Sequence, residues 1–397
     1  MPPKKAKTSR AKASQDAPTR EEDPDDQGPA TPGKKGETKR AAKRKGKNPS
    51  HGAPQLLSKE SESPGDAATK GPIVIVPPPT TSDPILAGVD AWVQATLTLG
   101  VGGLKKQFLD VKGYQSPNQA ATAFAANPTK NRYPELTCLD ETRVKLTPEV
   151  PGEGDYIHAN WCRLENHPTV YIATQSPVDA SIVDFWRMVW EYEIVTVCQL
   201  SANMEDGKVK GSNYWPAAAG QFQNHGRFFV NNKKVETEES FVTLTIELLP
   251  DGCSNSRMLR IVQYDPAAKE QKKEAPLVPL KTTRVLRLIR LLDRGDKLNK
   301  GNTLMHCSSG VGRTGTFILV EWLLAQLYSG RKPADLPELY KKLRGQRAHA
   351  VQTEFQYVFI TAAVLDYCQA KHPGRYTEAA VNAFIAEAKE LGKTAEK

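Results

Sequence analysis

The chain has 397 residues, more than one compact core ordinarily needs, and its formal net charge of +9 is unevenly spread. Basic clusters between Lys4 and Lys47, interleaved with Pro, Gly, Ser and the acidic run Glu21 to Asp26, lack the apolar residues that would offset the entropy of ordering. Such a tail has no aromatic residues to stack on bases, which disfavours nucleic acid as a partner. The scattered cysteines, with no Cys-x-x-Cys pair, exclude a disulfide framework and a zinc ribbon.

The expected organisation is a disordered basic tail over residues 1–72, a linker or arm over 73–88, one folded domain over 89–372 and a C-terminal helical tail over 373–397. No apolar run reaches the roughly 18 to 20 residues that span a bilayer. The opening MPPKKAKTSR carries no apolar segment after its charges. The expectation is a soluble, cytoplasmic protein without a membrane partner, whose tail could carry it into a nucleus. Its oligomeric state is not legible.

In chain order, Pro77, Pro78, Pro79 and Pro84 suit an arm, and Asp90 is placed to cap a first helix bearing Trp92, Val93, Leu97 and Leu99. Gly100, Gly102 and Gly103 should break it before a second segment, Leu104 to Val111. Residues rich in β-branched and aromatic types predict strands at Val170–Thr174, Ile194–Leu200, Phe241–Leu249 and Met258–Tyr264. Helical spacing of apolar residues predicts helices at Asp184–Glu191, Val285–Leu292 and Thr316–Tyr328. Tyr376 to Lys397, rich in Ala and Glu, reads as a final helix. Strands mixed with helices over almost 300 residues indicate an α/β domain with a mixed sheet.

The chemistry lies in Thr303-Leu304-Met305-His306-Cys307-Ser308-Ser309-Gly310-Val311-Gly312-Arg313-Thr314-Gly315, a short strand, a loop and the start of an apolar helix. Gly310 and Gly312 let successive backbone N–H groups of Ser308, Ser309 and Val311 turn inward as a nest for an anion, and the helix beginning near Arg313 adds its positive end. A cysteine at such a mouth is held as thiolate and becomes a nucleophile. Arg313, six residues on, can bring its planar fork onto two phosphate oxygens. A buried cysteine beside a glycine turn is the plainer alternative. A nucleotide-binding loop is disfavoured because the Gly-Lys-Ser/Thr ending is absent.

This Cys-x5-Arg loop, preceded by His306 and followed by Thr314, resembles the signature of the cysteine-dependent protein-tyrosine phosphatases. The resemblance extends over most of residues 90 to 370 and implies that family's fold, a central mixed twisted sheet flanked by helices. Lys130-Asn131-Arg132-Tyr133 is similar to its substrate loop, so Tyr133 would stack on the phosphotyrosine ring and Glu135 would contact the substrate backbone, where the family commonly has aspartate. Asp155 to Asn160, Tyr171 to Pro177 and Asp184 to Trp190 match its core motifs and read as scaffold. Glu205, followed by Lys210 and Tyr214-Trp215-Pro216, resembles the segment whose glutamate orients the phosphate-binding arginine; a surface ion pair is the alternative. Val351 to Tyr357 resembles the loop whose glutamine positions the hydrolytic water, a role that would fall to Gln352, while Thr314 would assist departure of the thiolate. His349 stands near the rim where relatives often have glycine. The pattern is also similar to a diverged nematode branch of the family.

The resemblance fails at the loop that delivers a general acid. No tryptophan lies between Trp215 and Trp322, and the corresponding stretch, 265 to 279, has Ala275 or Lys269 where the acid belongs. Asp265 is the candidate substitute, with Glu270 and Glu274 as further carboxylates; solvated loop charges are the alternative for all three. Two functions are implied: a phosphotyrosyl-protein phosphatase of reduced activity that needs neither metal nor cofactor, or a phosphotyrosine-binding pseudophosphatase. Both take a phosphotyrosyl protein as partner.

Overall fold

The computed structural model describes residues 73–149, 151–205, 207–238, 240–264, 281–293, 302–331 and 335–395. Helix α1 (Pro84–Val111) starts with proline at its first position, capped by Asp83, whose carboxylate accepts the N–H groups of Ile85 and Leu86. It therefore begins inside the stretch assigned above to a linker. Asp90 is not a cap: it lies within the helix, and its carboxylate accepts from Arg375 and Tyr376. Of the three glycines only Gly100 leaves helical geometry (φ 65, ψ 176). By length and composition α1 is also apolar enough to cross a membrane, contrary to the sequence expectation, while Val89, Val93, Leu97, Val101, Leu104 and Phe108 along it are buried in the core.

After α1 come a short helix α2 (Thr122–Ala126), strands β1 (Arg143–Lys145), β2 (Tyr156–Arg163) and β3 (Val170–Thr174), helix α3 (Ile182–Glu191) and strand β4 (Thr196–Gln199). A small hairpin, β5 (Met204–Glu205) with β6 (Lys208–Val209), precedes the meander β7 (Phe222–His225), β8 (Phe228–Thr237), β9 (Phe241–Pro250) and β10 (Arg257–Tyr264). The last third holds α4 (Thr282–Asp293), β11 (Thr303–His306), α5 (Gly312–Ser329), α6 (Leu336–Gln346), α7 (Glu354–Lys371) and α8 (Glu378–Ala395). The expected strands appear as β3, β4, β9 and β10, and the expected helices as α3, α4 and α5.

Among the described residues the main sheet has nine strands in the order β1-β2-β3-β11-β4-β10-β9-β8-β7. Strands β3, β11, β4 and β10 run parallel, and the flanking pairs are antiparallel, so the sheet is mixed as expected. Strand β11 enters the middle, between β3 and β4, and the loop that leaves it emerges at the carboxyl edge of the parallel strands. Alternation along β11 divides the core. Leu304 joins Phe185, Trp186 and Val197 on the α3 face, whereas Met305 joins the larger cluster with α5 and α7.

The final helix is not a detached tail. Val381, Phe384 and Ala388 recur at helical spacing, are buried, and belong to the same large cluster as α1 and α7. The folded body of the domain accordingly extends through α8.

Candidate active site

Strand β11 ends at His306, which is fully buried. Burial pushes its imidazole down to about 4, so the ring is neutral near pH 7. Its Nδ1 lies 3.0 Å from the Cys307 carbonyl and its Nε2 2.6 Å from the Tyr214 hydroxyl. A neutral ring can satisfy both only by donating from Nδ1 and accepting at Nε2. His306 therefore anchors the loop backbone rather than supplying charge to the sulfur.

From Cys307 the chain folds into a cup. The Gly310 N–H donates to Cys307 Sγ at 3.2 Å. Gly310 has φ 69, and a Cβ there would fall 1.9 Å from the Thr174 carbonyl oxygen, so the turn needs glycine for both conformation and space. Burial alone would push the Cys307 thiol up. The Thr314 hydroxyl, the Arg313 charge and the N–H groups of Thr314 and Gly310 oppose it and hold the thiol below its ordinary value. The Thr314 hydroxyl is itself buried and has no hydrogen-bond partner among the described residues, which leaves it free to turn towards the sulfur. The other buried cysteines, Cys138, Cys162, Cys198 and Cys368, are all raised by burial. That contrast separates Cys307 from a cysteine that merely packs beside a turn.

Arg313, in the first turn of α5, donates through Nη1 and Nη2 to the two carboxylate oxygens of Glu205, at 2.5 and 2.8 Å, with Nη1 also 3.2 Å from the Leu200 carbonyl. Glu205 is buried, so the surface-pair alternative does not hold. Desolvation works against the guanidinium's charge, but this carboxylate more than compensates, and the Arg313 pKa is raised.

Tyr133 is tied to the cup, its hydroxyl 2.8 Å from Ser308 Oγ, and that Oγ donates in turn to the Lys210 carbonyl at 3.0 Å. Lys210 thus contributes its backbone here. The substrate-loop segment is held by Arg132, whose side chain donates to the Ser176 and Pro177 carbonyls. Glu135 is exposed beside it. His349, half-buried and in the left-handed region at φ 63, sits 3.4 Å from Thr137 Oγ1 at the rim.

On the other side Gln352 and Gln356 lie over Gly312, where a Cβ would meet Gln356 Nε2 at 2.8 Å and Gln352 Oε1 at 2.9 Å. The Gln356 carboxamide accepts the Gln352 and Thr353 N–H groups, and Thr353 caps α7. Val311 is buried, and its carbonyl accepts the Val351 N–H. The structure therefore brings Cys307, Ser308, Ser309, Gly310, Val311, Gly312, Arg313, Thr314, Tyr133, Glu205 and Gln352 to one place. Asp265, together with Ala275, Lys269, Glu270 and Glu274, lies outside the described residues.

Sequence reasoning missed Arg347. This fully buried side chain donates to the Gly310 and Ser309 carbonyls at 3.2 and 3.1 Å and to Asn160 Oδ1 at 2.7 Å. It holds the loop's carbonyls outward and so frees its N–H groups to face the cup. The only signal in the sequence was an arginine five residues before Gln352, too little to point across the sheet to Asn160.

A cysteine whose thiol is lowered, at the floor of an amide nest beside a guanidinium fixed by a carboxylate, defines a site for a tetrahedral oxyanion. A family model for protein-tyrosine phosphatase matches residues 127–366, and the chain belongs to the protein-tyrosine phosphatase family. It is 35% identical over 269 residues to receptor-type tyrosine-protein phosphatase F of Rattus norvegicus, covering 67% of this chain and 13% of that protein. Tyrosine-protein phosphatase Lar of Drosophila melanogaster is 33% identical over 242 residues, 60% of this chain and 11% of the relative. Receptor-type tyrosine-protein phosphatase zeta of Rattus norvegicus is 32% identical over 273 residues, 65% and 11% respectively. The chain thus spans about an eighth or less of the length of these relatives.

Proposed function

We propose that this domain hydrolyses phosphotyrosyl proteins through a cysteinyl-phosphate intermediate. Cys307 Sγ attacks phosphorus as the P–O bond to the tyrosyl oxygen breaks, with Arg313 and the Ser308–Gly312 amides balancing charge on the three equatorial oxygens. Water positioned by Gln352 then cleaves the S–P bond, releasing inorganic phosphate and restoring the thiolate, whose departure the Thr314 hydroxyl assists. The observation that carries this reading is geometric: Cys307 Sγ receives the Gly310 N–H at 3.2 Å beside an Arg313 guanidinium fixed by buried Glu205, an arrangement that lowers this thiol.

The tyrosyl oxygen must also gain a proton. With Ala275 or Lys269 in the acid position, Asp265 is the candidate donor, and without a positioned acid the rate falls by about 10²- to 10⁴-fold. That same departure favours a second reading, a phosphotyrosine-binding scaffold, because phosphate capture uses none of the lost group. A reducing, cytoplasmic setting suits a working thiolate, and the basic tail fits nuclear import better than nucleic-acid binding.

Rates on a small aryl phosphate with a good leaving group and on a phosphotyrosyl peptide, for the parent and Cys307→Ser, separate the readings. An impaired phosphatase turns over the first much faster than the second and loses both with the substitution. Peptide binding without turnover on either substrate establishes the scaffold instead, and equal rates in parent and variant dismiss the enzyme.

A further inference from the structure

We propose that α8, which lies beyond the matched family segment, is a positioning element for the hydrolytic half of the reaction and acts on Gln352 through Gly392 and Phe355; this rests on the enzymatic reading above. Gly392 is buried in the last part of α8, and a Cβ there would fall 2.5 Å from Cζ of Phe355 and 2.8 and 2.9 Å from its Cε atoms. No side chain fits without displacing the ring. Glycine within a helix costs roughly 0.5–1 kcal/mol relative to alanine, so its presence here is accounted for by the close approach it permits.

Phe355 is itself buried in the first turn of α7, between the cap Thr353 and Gln356. Gln356 is the residue whose carboxamide fixes the Gln352 N–H at 2.7 Å, and both glutamines press on Gly312, the residue before Arg313. Contact is therefore continuous from α8 to the ring of Phe355, along one turn of backbone to the two glutamines, and on to the anion cup. The segment leading into α8 is fixed independently, since Arg375 and Tyr376 hold Asp90 of α1. Raising the C-terminal part of α8 would then loosen the start of α7 while leaving the β11–α5 loop, which Arg347 holds from behind, in place.

Gly392→Leu in the full chain tests this, with Gly392→Ala as the milder variant should leucine prevent folding and Lys389→Leu, exposed on the same helix, as control. With a small aryl phosphate, the pre-steady-state burst of phenol, which reports attack by Cys307, stays unchanged. Steady-state turnover falls by about tenfold, within the ~10²-fold that ångström-scale misplacement of a catalytic group can cost. Amide exchange accelerates at residues 352–356 and stays unchanged at 303–306. Lys389→Leu moves none of these.

Unchanged exchange at 352–356 overturns the proposal, as does acceleration spread over the whole domain, which would make Gly392 a residue of general stability. Absence of any turnover in the parent counts against the enzymatic reading, and the exchange comparison then tests only whether α8 braces the Gln352 segment.

Discussion

Replacing Gly310 by alanine should collapse the anion cup with one methyl group. The residue sits at φ 69, where a side chain costs roughly 1–2 kcal/mol. The new Cβ would stand 1.9 Å from the Thr174 carbonyl oxygen and 2.8 Å from the Gln175 nitrogen, both backbone atoms that no rotamer change can move. Overpacking of this kind adds about 1–3 kcal/mol, giving a loss of about 2–5 kcal/mol, a large part of a typical domain's 5–15 kcal/mol. Displacing the loop from β3 also withdraws the Gly310 N–H from Cys307 Sγ, so vanadate affinity should fall more than tenfold even in the molecules that remain folded. Urea denaturation and calorimetric titration with vanadate measure the two effects separately. A Gly310→Ala protein with the parent's unfolding midpoint and vanadate affinity would refute the reasoning.

Arg347→Met should cost about 3 kcal/mol, since hydrogen bonds to a charged donor contribute about 1.5–3 kcal/mol and the Ser309, Gly310 and Asn160 acceptors lose theirs together; urea midpoints give the value. Tyr133→Phe removes the 2.8 Å contact with Ser308 and should raise KM for a phosphotyrosyl peptide about two- to tenfold with kcat little changed, as steady-state kinetics will show. Glu321, buried in α5 and bonded to the Tyr171 hydroxyl, has its carboxyl pushed up to about 8 by burial. An unfolded carboxylate ionises from about 4.5, so the folded state loses relative stability as pH rises from there towards 8. Glu321→Gln should flatten that slope in denaturation midpoints taken between pH 5 and 8.

Legibility in the sequence followed the range of the interactions. Strands such as β9 and β10 alternate or concentrate β-branched residues locally, and the Cys307–Arg313 loop holds the nucleophile, the amide nest and the arginine within seven positions, so both could be read directly. Glu205 was found through its resemblance to a known segment; its partner stands 108 residues away, and only the structure decides that the pair is buried. Arg347 was missed because its acceptors come from the loop and from β2, 187 residues earlier in the case of Asn160. At the ends, Asp90 looked like a cap because capping residues and helix-interior ion-pair partners are the same types. Helix α8 read as a tail because its alanine-rich stripe is apolar enough to pack but not distinctive enough to say against what.

The most direct test is the titration of Cys307 itself, following thiolate absorbance in the ultraviolet against a Cys307→Ser reference. The account predicts a thiol that ionises below its ordinary value and moves up when Thr314 is replaced by valine. A Cys307 that titrates at or above that value, as its buried neighbours do, would contradict the claim that amides, a hydroxyl and a guanidinium converge on this sulfur.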